Sequence, residues 1–328
     1  MSIKIAHIAT YCPQLTLSND DLSKVFNIDS DRIFQTTRIT KRYISAPSEL
    51  SSDMAVKAGE NVLVKSRIKP SEIDFLIFCS EGFDFIAPAT SCIIHERLGL
   101  NSQTGCIDLP YGCSGYVYGL GIAYGLLKAG IASKILFLTA DIPTKVIGND
   151  DLELRSIFSD IATASILTQN DLPGNTEFIF GTDGKGAYDL YVEKSAFREP
   201  LSPEFKMAAN LKNGQMIMNG TNIFLFAVKK VPILIAEILS KNKLTSDDID
   251  LFILHQASYF MLEVIRKKLK LPPDKMFINI GEFGNSVSSS IPLALYDAEQ
   301  KGILKRGMKI VLAGFGIGNS WGATVIDY

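Results

Sequence analysis

Two stretches of this chain carry the same polarity pattern. "SEIDFLIFCSEG" (Ser71 to Gly82) and "SDDIDLFILHQAS" (Ser246 to Ser258) each open on an acidic lead-in and an Ile-Asp pair, followed by four consecutive apolar residues. An unbroken apolar run of that length predicts a strand covered on both faces. A helix-like pattern ending in basic residues precedes each: "MAVKAGENVLVKSRI" and "VKKVPILIAEILSKNKL". Two more pairs follow in the same order. "GCIDLPYGCSGYVYGLGIAYGLLKAG" and "MFINIGEFGNSVSSSIPLALYDAEQKG" both read as strand, turn and helix, and "SKILFLTAD" and "MKIVLAGFG" both read as apolar strands. Three pairs in the same order predict a duplicated α/β unit.

Alternating strands and helices predict mostly parallel central sheets with helices on their faces. The expected organisation is a layered sandwich of two halves, 1–170 and 175–328. The stretch near 184–219 has no counterpart in the first half and is rich in Gly, Pro, Asn and charge. It reads as an inserted cap or substrate-facing loop.

With 328 residues, 47% of them hydrophobic and 21% charged, the chain can bury a sizeable core. A net charge of -2 argues against a general nucleic-acid binder. The opening "MSIKIAHIAT" lacks the pattern of a signal peptide and reads as a first strand. No membrane span is expected, because no apolar run reaches the required ~18 residues. The five cysteines (Cys12, Cys79, Cys92, Cys106, Cys113) include no CxxC pair, which points to reduced thiols in a cytoplasm. His7, His95 and His255 show no metal-ligand spacing, so no metal site is expected.

Ligands of open α/β sheets bind beyond the carboxyl ends of the strands. Cys113 follows one predicted strand at the start of a helix, and His255 directly follows "LFIL". Asn285 follows "FINI", and the glycine loop "GFGIG" follows "KIVLA". A lone cysteine is usually an inert small hydrophobe. Four such features at matching strand ends of a repeat point instead to one site. Cys113 would be the nucleophile, its thiol pKa lowered by the helix N-terminus. His255 would activate it or donate a hydrogen bond, and Asn285 would be a neutral donor. Amides around Phe315 would hold an oxyanion.

These residues resemble the thiolase-fold condensing enzymes, most closely the ketoacyl-[acyl carrier protein] synthase III group, nearly end to end. "GCSGYVYGL" resembles the nucleophile motif, "LHQAS" the histidine motif, "FGNSVSSSIPLAL" the asparagine motif and "AGFGIGNSWGATVIDY" the C-terminal signature. The resemblance implies a thiolase-like layered α/β/α/β/α sandwich. It also implies that Cys113 takes an acyl group from a thioester, and that His255 and Asn285 hold a malonyl thioester through its decarboxylation. The resulting carbanion would attack the acyl-cysteine and give a 3-oxoacyl thioester. The implied oxyanion donors are the backbone N–H groups of Cys113 and Ile317. Substrate contacts are placed at Ala87, Arg42, Gly220 and Phe315. No metal and no redox cofactor are implied. The implied partners are acyl carrier protein or acyl-CoA and a second copy of the chain, with "PATSCIIHERLGL" near the dimer contact and the acyl tunnel.

The chain also departs from the group. The coenzyme A segment W-I-x-x-R-T-G-I-x-x-R is here "RIFQTTRITKR", with Arg32 at the tryptophan, Thr36 at the first arginine and Arg38 at the glycine. Of that segment's arginines only Arg42 is kept, and the arginine expected before "FSD" falls near Leu152 or is displaced to Arg155. The loss of this clamp leaves open a carrier-bound donor or a different coenzyme A pose. Ser258 replaces the asparagine that normally ends the histidine motif, Phe260 stands where an arginine docks the carrier, and Ala87 replaces a bulkier residue, implying a roomier acyl site. Gln256, Arg266, Lys267 and Lys268 remain the expected carrier-docking positions. The expected function is decarboxylative condensation in a specialised fatty acid, polyketide or related pathway. The alternative is an ester- or amide-forming acyltransferase on the same fold.

Overall fold

The computed structural model describes residues 2–170, 175–193, 195 and 214–328. The first half holds strands β1 (Ser2–Tyr11), β2 (Leu15–Ser18), β3 (Lys41–Ile44), β4 (Phe75–Cys79), β5 (Gly105–Leu109), β6 (Lys134–Asp141) and β7 (Ile161–Asn170). Its helices are α1 (Asn19–Phe26), α2 (Ser30–Thr37), α3 (Ser51–Ser66), α4 (Thr90–Arg97), α5 (Gly115–Lys128) and α6 (Leu152–Arg155). The second half holds β8 (Phe178–Thr182), β9 (Leu190–Val192), β10 (Met216–Met218), β11 (Leu251–Leu254), β12 (Lys309–Gly316) and β13 (Ser320–Asp327). Its helices are α7 (Gly220–Lys241), α8 (Tyr259–Lys268), α9 (Ile280–Phe283) and α10 (Ser290–Gln300).

The two main sheets share one topology. The first runs β1-β7-β6-β4-β5 and the second β8-β13-β12-β11. In both, the outer two pairs are antiparallel and the next is parallel. A parallel bridge from Phe252 to Met276 stands where β5 pairs with β4 in the first sheet. Both sheets are therefore mixed, because β7 and β13 return antiparallel beside β6 and β12.

The repeated Ile-Asp pair has a mechanical purpose. Asp74 Oδ2 accepts the N–H of Lys134, and Asp250 Oδ2 accepts that of Lys309, at 2.8 and 2.7 Å. Each carboxylate thus ties the start of its own strand to the start of the parallel neighbour. The apolar residues that follow are buried on both faces, as their unbroken run requires.

Five layers result. Helices α3 and α4 pack on the outer face of the first sheet, and α7 and α8 on the outer face of the second. Between the sheets lie α5 and α10, whose Tyr116, Leu120, Ile291 and Leu295 share one core with Ile77, Phe137, Ile253 and Leu312. Close approach of α5 to β6 depends on Gly119, where a Cβ would come within 2.1 Å of the Phe137 ring. In the expected insertion, β9 and β10 pair antiparallel, while 194 and 196–213 lie outside the described residues.

Candidate active site

Cys113 sits in the turn between β5 and α5, and its side chain is buried. His255 follows β11 and continues the sheet, its N–H donating to the Ala313 carbonyl at 2.9 Å. Phe315 stands edge-on to the imidazole, with ring centroids 5.7 Å apart. Asn285 follows α9 through Gly284, whose φ of +70° and 2.6 Å clearance to Ser159 Oγ admit no side chain. The Asn285 N–H donates to the Ile157 carbonyl and its carbonyl accepts the Ser159 N–H, both at 2.9 Å. Its Oδ1 accepts the Val287 N–H at 2.9 Å, which leaves Nδ2 as the amide's donor.

Cys113, His255, Asn285, Phe315, Gly316 and Gly220 line one cavity of about 820 Å³. Its other walls are largely apolar, with Phe158, Met218, Phe224 and Met261 among them, and among the described residues Glu153 is the one carboxylate lining it. Further ties join the halves around this cavity. Ser288 donates from N–H and Oγ to Asp141, Ser289 Oγ lies 2.8 Å from Thr139 Oγ1, and Ser114 Oγ lies 2.7 Å from Ser320 Oγ.

The electrostatics differ from the sequence expectation. Burial pushes the Cys113 thiol up to about 12; the Ile317 and Cys113 N–H groups pull it down, and the charges of Glu81 and Asp141 add to the rise. Desolvation therefore outweighs the helix N-terminus, and the resting group is a thiol. Burial also lowers the His255 pKa to about 3, with the Val287 carbonyl pulling the other way, so the imidazole is neutral at pH 7. Asp141 is raised to about 6, chiefly by burial.

Both expected oxyanion amides, those of Cys113 and Ile317, point at the sulfur. Gly316 makes this possible: with φ at +152°, a Cβ there would lie 2.6 Å from Cys113 Cβ and 2.8 Å from Sγ. Other expectations require correction. Arg42 does not reach the cavity; it is fully buried and holds the Ser156 carbonyl, Asn19 and Thr37, which braces the segment that grips Asn285. Gln256 is buried too, its amide donating to the Leu254 and Phe277 carbonyls and accepting the Asn279 N–H, so it offers no docking surface. Arg266 spends its donors on Glu263 and the Leu271 carbonyl, and Lys268 donates to the Val228 carbonyl. Lys267 is exposed. Ala87 lies on an exposed loop before Pro88, apart from this cavity. Sequence reasoning missed Ser290, whose Oγ meets Nδ1 of His255; it stood inside the quoted asparagine motif with nothing to distinguish it from its neighbouring serines.

Among the described residues no cluster of three or more His, Cys, Asp or Glu is arranged for a metal ion. No described helix is long and apolar enough to cross a membrane.

Comparison with known proteins gives a consistent result. Residues 107–184 match the family model of 3-oxoacyl-[acyl-carrier-protein (ACP)] synthase III, and 239–328 match that of its C-terminal part. The chain is 34% identical to the β-ketoacyl-[acyl-carrier-protein] synthase III of Clostridium tetani, over 99% of this chain and 98% of the relative. A 3-oxoacyl-(acyl-carrier-protein) synthase III crystal structure superposes with a TM-score of 0.95 at 35% identity, covering 100% of both chains. The enzyme of that name from Thermus thermophilus superposes at 0.89 with 30% identity, covering 99% of this chain and 98% of the other. With its repeated sheets, its shared cavity and this likeness along its whole length, the chain belongs to the 3-oxoacyl-[acyl-carrier-protein] synthase III family, the acyl-transferring condensing enzymes of the thiolase fold.

Proposed function

We propose that the chain joins an acyl group, carried on Cys113, to the carbanion released from a malonyl thioester. The observation that carries this reading is the convergence of Cys113, His255 and Asn285, from both halves, on one cavity. The resting thiol attacks the donor carbonyl, and its proton leaves with the departing thiol. The oxyanion formed at that carbonyl lies within reach of the Cys113 and Ile317 amides, each worth about 3–4 kcal/mol in such sites. Malonyl thioester then enters. Neutral His255, through Nε2, and Asn285, through Nδ2, donate to its carbonyl as carbon dioxide leaves. The electron pair of the broken C–C bond forms the new bond to the acyl carbon, and Cys113 departs as the leaving group. A neutral imidazole suits this role, because a donor is needed and a second charge in a buried site is costly.

The substrates on this reading are acyl-carrier-protein or acyl-CoA thioesters, without metal or redox cofactor, and the enzyme works as a cytoplasmic homodimer. The test incubates the protein with acyl and malonyl thioesters and follows the mass of Cys113 and the 3-oxoacyl product. Undiminished product from Cys113→Ala would sink the proposal. Acylation of Cys113 without carbon dioxide release would transfer the enzyme to the ester- or amide-forming alternative.

A further inference from the structure

Two departures of this chain from its family pattern meet in space. Arg38, at the motif's glycine, caps α2 with φ at +61° and lays its guanidinium 5.4 Å from the Phe34 ring and 6.0 Å from the Phe260 ring. Phe260, at the position of a docking arginine, is 41% exposed. It lies in the first turn of α8, between the cavity-lining residues Ser258 and Met261. No ion pair joins Arg38 among the described residues. A cation held by two aromatic faces, with no carboxylate partner among the described residues, therefore stands beside the segment of α8 that lines the cavity. Arginine stacks on aromatic planes while its N–H edge stays free to grip a phosphate. Lys267 is seven residues beyond Phe260 on the same face of α8 and adds a second exposed cation. Among the described residues, Glu153 is the only side chain with a full charge lining the cavity, and that charge is negative.

We propose that Arg38, seated against Phe34 and Phe260, holds the phosphate of the phosphopantetheine arm of the thioester donor at the cavity mouth. The assignment rests on reading this cavity as the thioester site. The arginine missing from position 260 is thereby resupplied from position 38, with Phe260 as its platform. The pantetheine phosphate is common to coenzyme A and to a carrier protein's prosthetic group, so both donor types feel the contact.

The experiment measures KM for Cys113 acylation with acetyl-CoA, with acetyl-carrier protein and with the phosphate-free N-acetylcysteamine thioester. For Arg38→Ala the ratio of KM for each phosphate-bearing donor to KM for the phosphate-free one rises roughly five- to tenfold, the loss of one charge-assisted contact. That rise shrinks as ionic strength increases. Adding Phe260→Arg to Arg38→Ala brings the ratio back toward the wild-type value. An unchanged ratio in a normally acylated R38A enzyme overturns the assignment alone. A rise confined to acetyl-CoA, or to the carrier-bound donor, also overturns it, in favour of a nucleotide contact or a protein-surface contact respectively. Failure of every thioester to acylate wild-type Cys113 overturns both this assignment and the function on which it rests.

Discussion

Ser290 Oγ lies 2.6 Å from Nδ1 of His255, and the Gln256 N–H approaches the same oxygen at 3.4 Å. We take the hydroxyl to donate to Nδ1, its oxygen keeping a lone pair for the amide. The imidazole then carries its own proton on Nε2, the tautomer needed to donate into the cavity. Ser290→Ala is expected to slow malonyl decarboxylation roughly tenfold or more, the effect of one lost buried hydrogen bond. Acylation of Cys113 should be far less affected. Separate assays of carbon dioxide release and of the acyl-enzyme mass check this, and equal losses in both steps would contradict the tautomer role.

The pH dependence of stability follows from His255. Its folded pKa of about 3 lies below the ordinary histidine value, because burial penalises the charged ring. The unfolded chain therefore binds a proton more readily than the fold. This group's contribution to stability is present above about pH 6.5 and is lost as pH falls toward 3. Between pH 7 and pH 4.5 the wild type should lose on the order of 2 kcal/mol that His255→Gln does not lose. Urea unfolding of both proteins at the two pH values measures the difference. Parallel losses would show that the ring is protonated inside the fold.

Gly316→Ala should damage the site and the fold together. The added methyl would sit 2.6 Å from Cys113 Cβ, on a backbone at φ +152°. Strain and overpacking of this kind cost about 1–3 kcal/mol each. The expected outcome is a lower thermal midpoint and little or no acyl-Cys113 by mass. Normal acylation in this variant would mean that the 316–317 backbone does not abut the sulfur.

The paired aspartates at the strand starts differ in how much they hold. Asp74 accepts from the N–H and Oγ of Ser133 and from the N–H of Lys134, whereas Asp250 accepts from the Lys309 N–H. Replacing Asp250 by Ala should cost about 1 kcal/mol, one net hydrogen bond. Asp74→Ala should cost more, because two backbone donors lose their partner. Denaturant midpoints of the two variants give the ranking; the reverse order would mean that the carboxylates do not anchor the neighbouring strands.

The doubly covered strands β4, β6, β11 and β12 were legible in the linear pattern, whereas "FINI" forms no strand: Met276 alone bridges to Phe252, and α9 begins at Ile280. Continuous apolar runs mark doubly covered strands, and the repeated Ile-Asp lead-in marks where they begin, because both depend on neighbours within a few residues. The strand-end rule pointed to Cys113 and His255; Asn285, expected at a strand end, instead follows α9, and the three line one cavity. Tertiary structure decided what depends on distant partners. It placed Asn285 between the Ile157 carbonyl and the Ser159 amide of the other half. It buried Arg42 and Gln256 among backbone groups instead of at a surface. It set Ser290 behind His255 and brought Arg38 against Phe260. It also reversed the expected direction of the Cys113 pKa, since the cost of desolvating a thiolate depends on everything packed around it, and a position in sequence records only the turn that bears it.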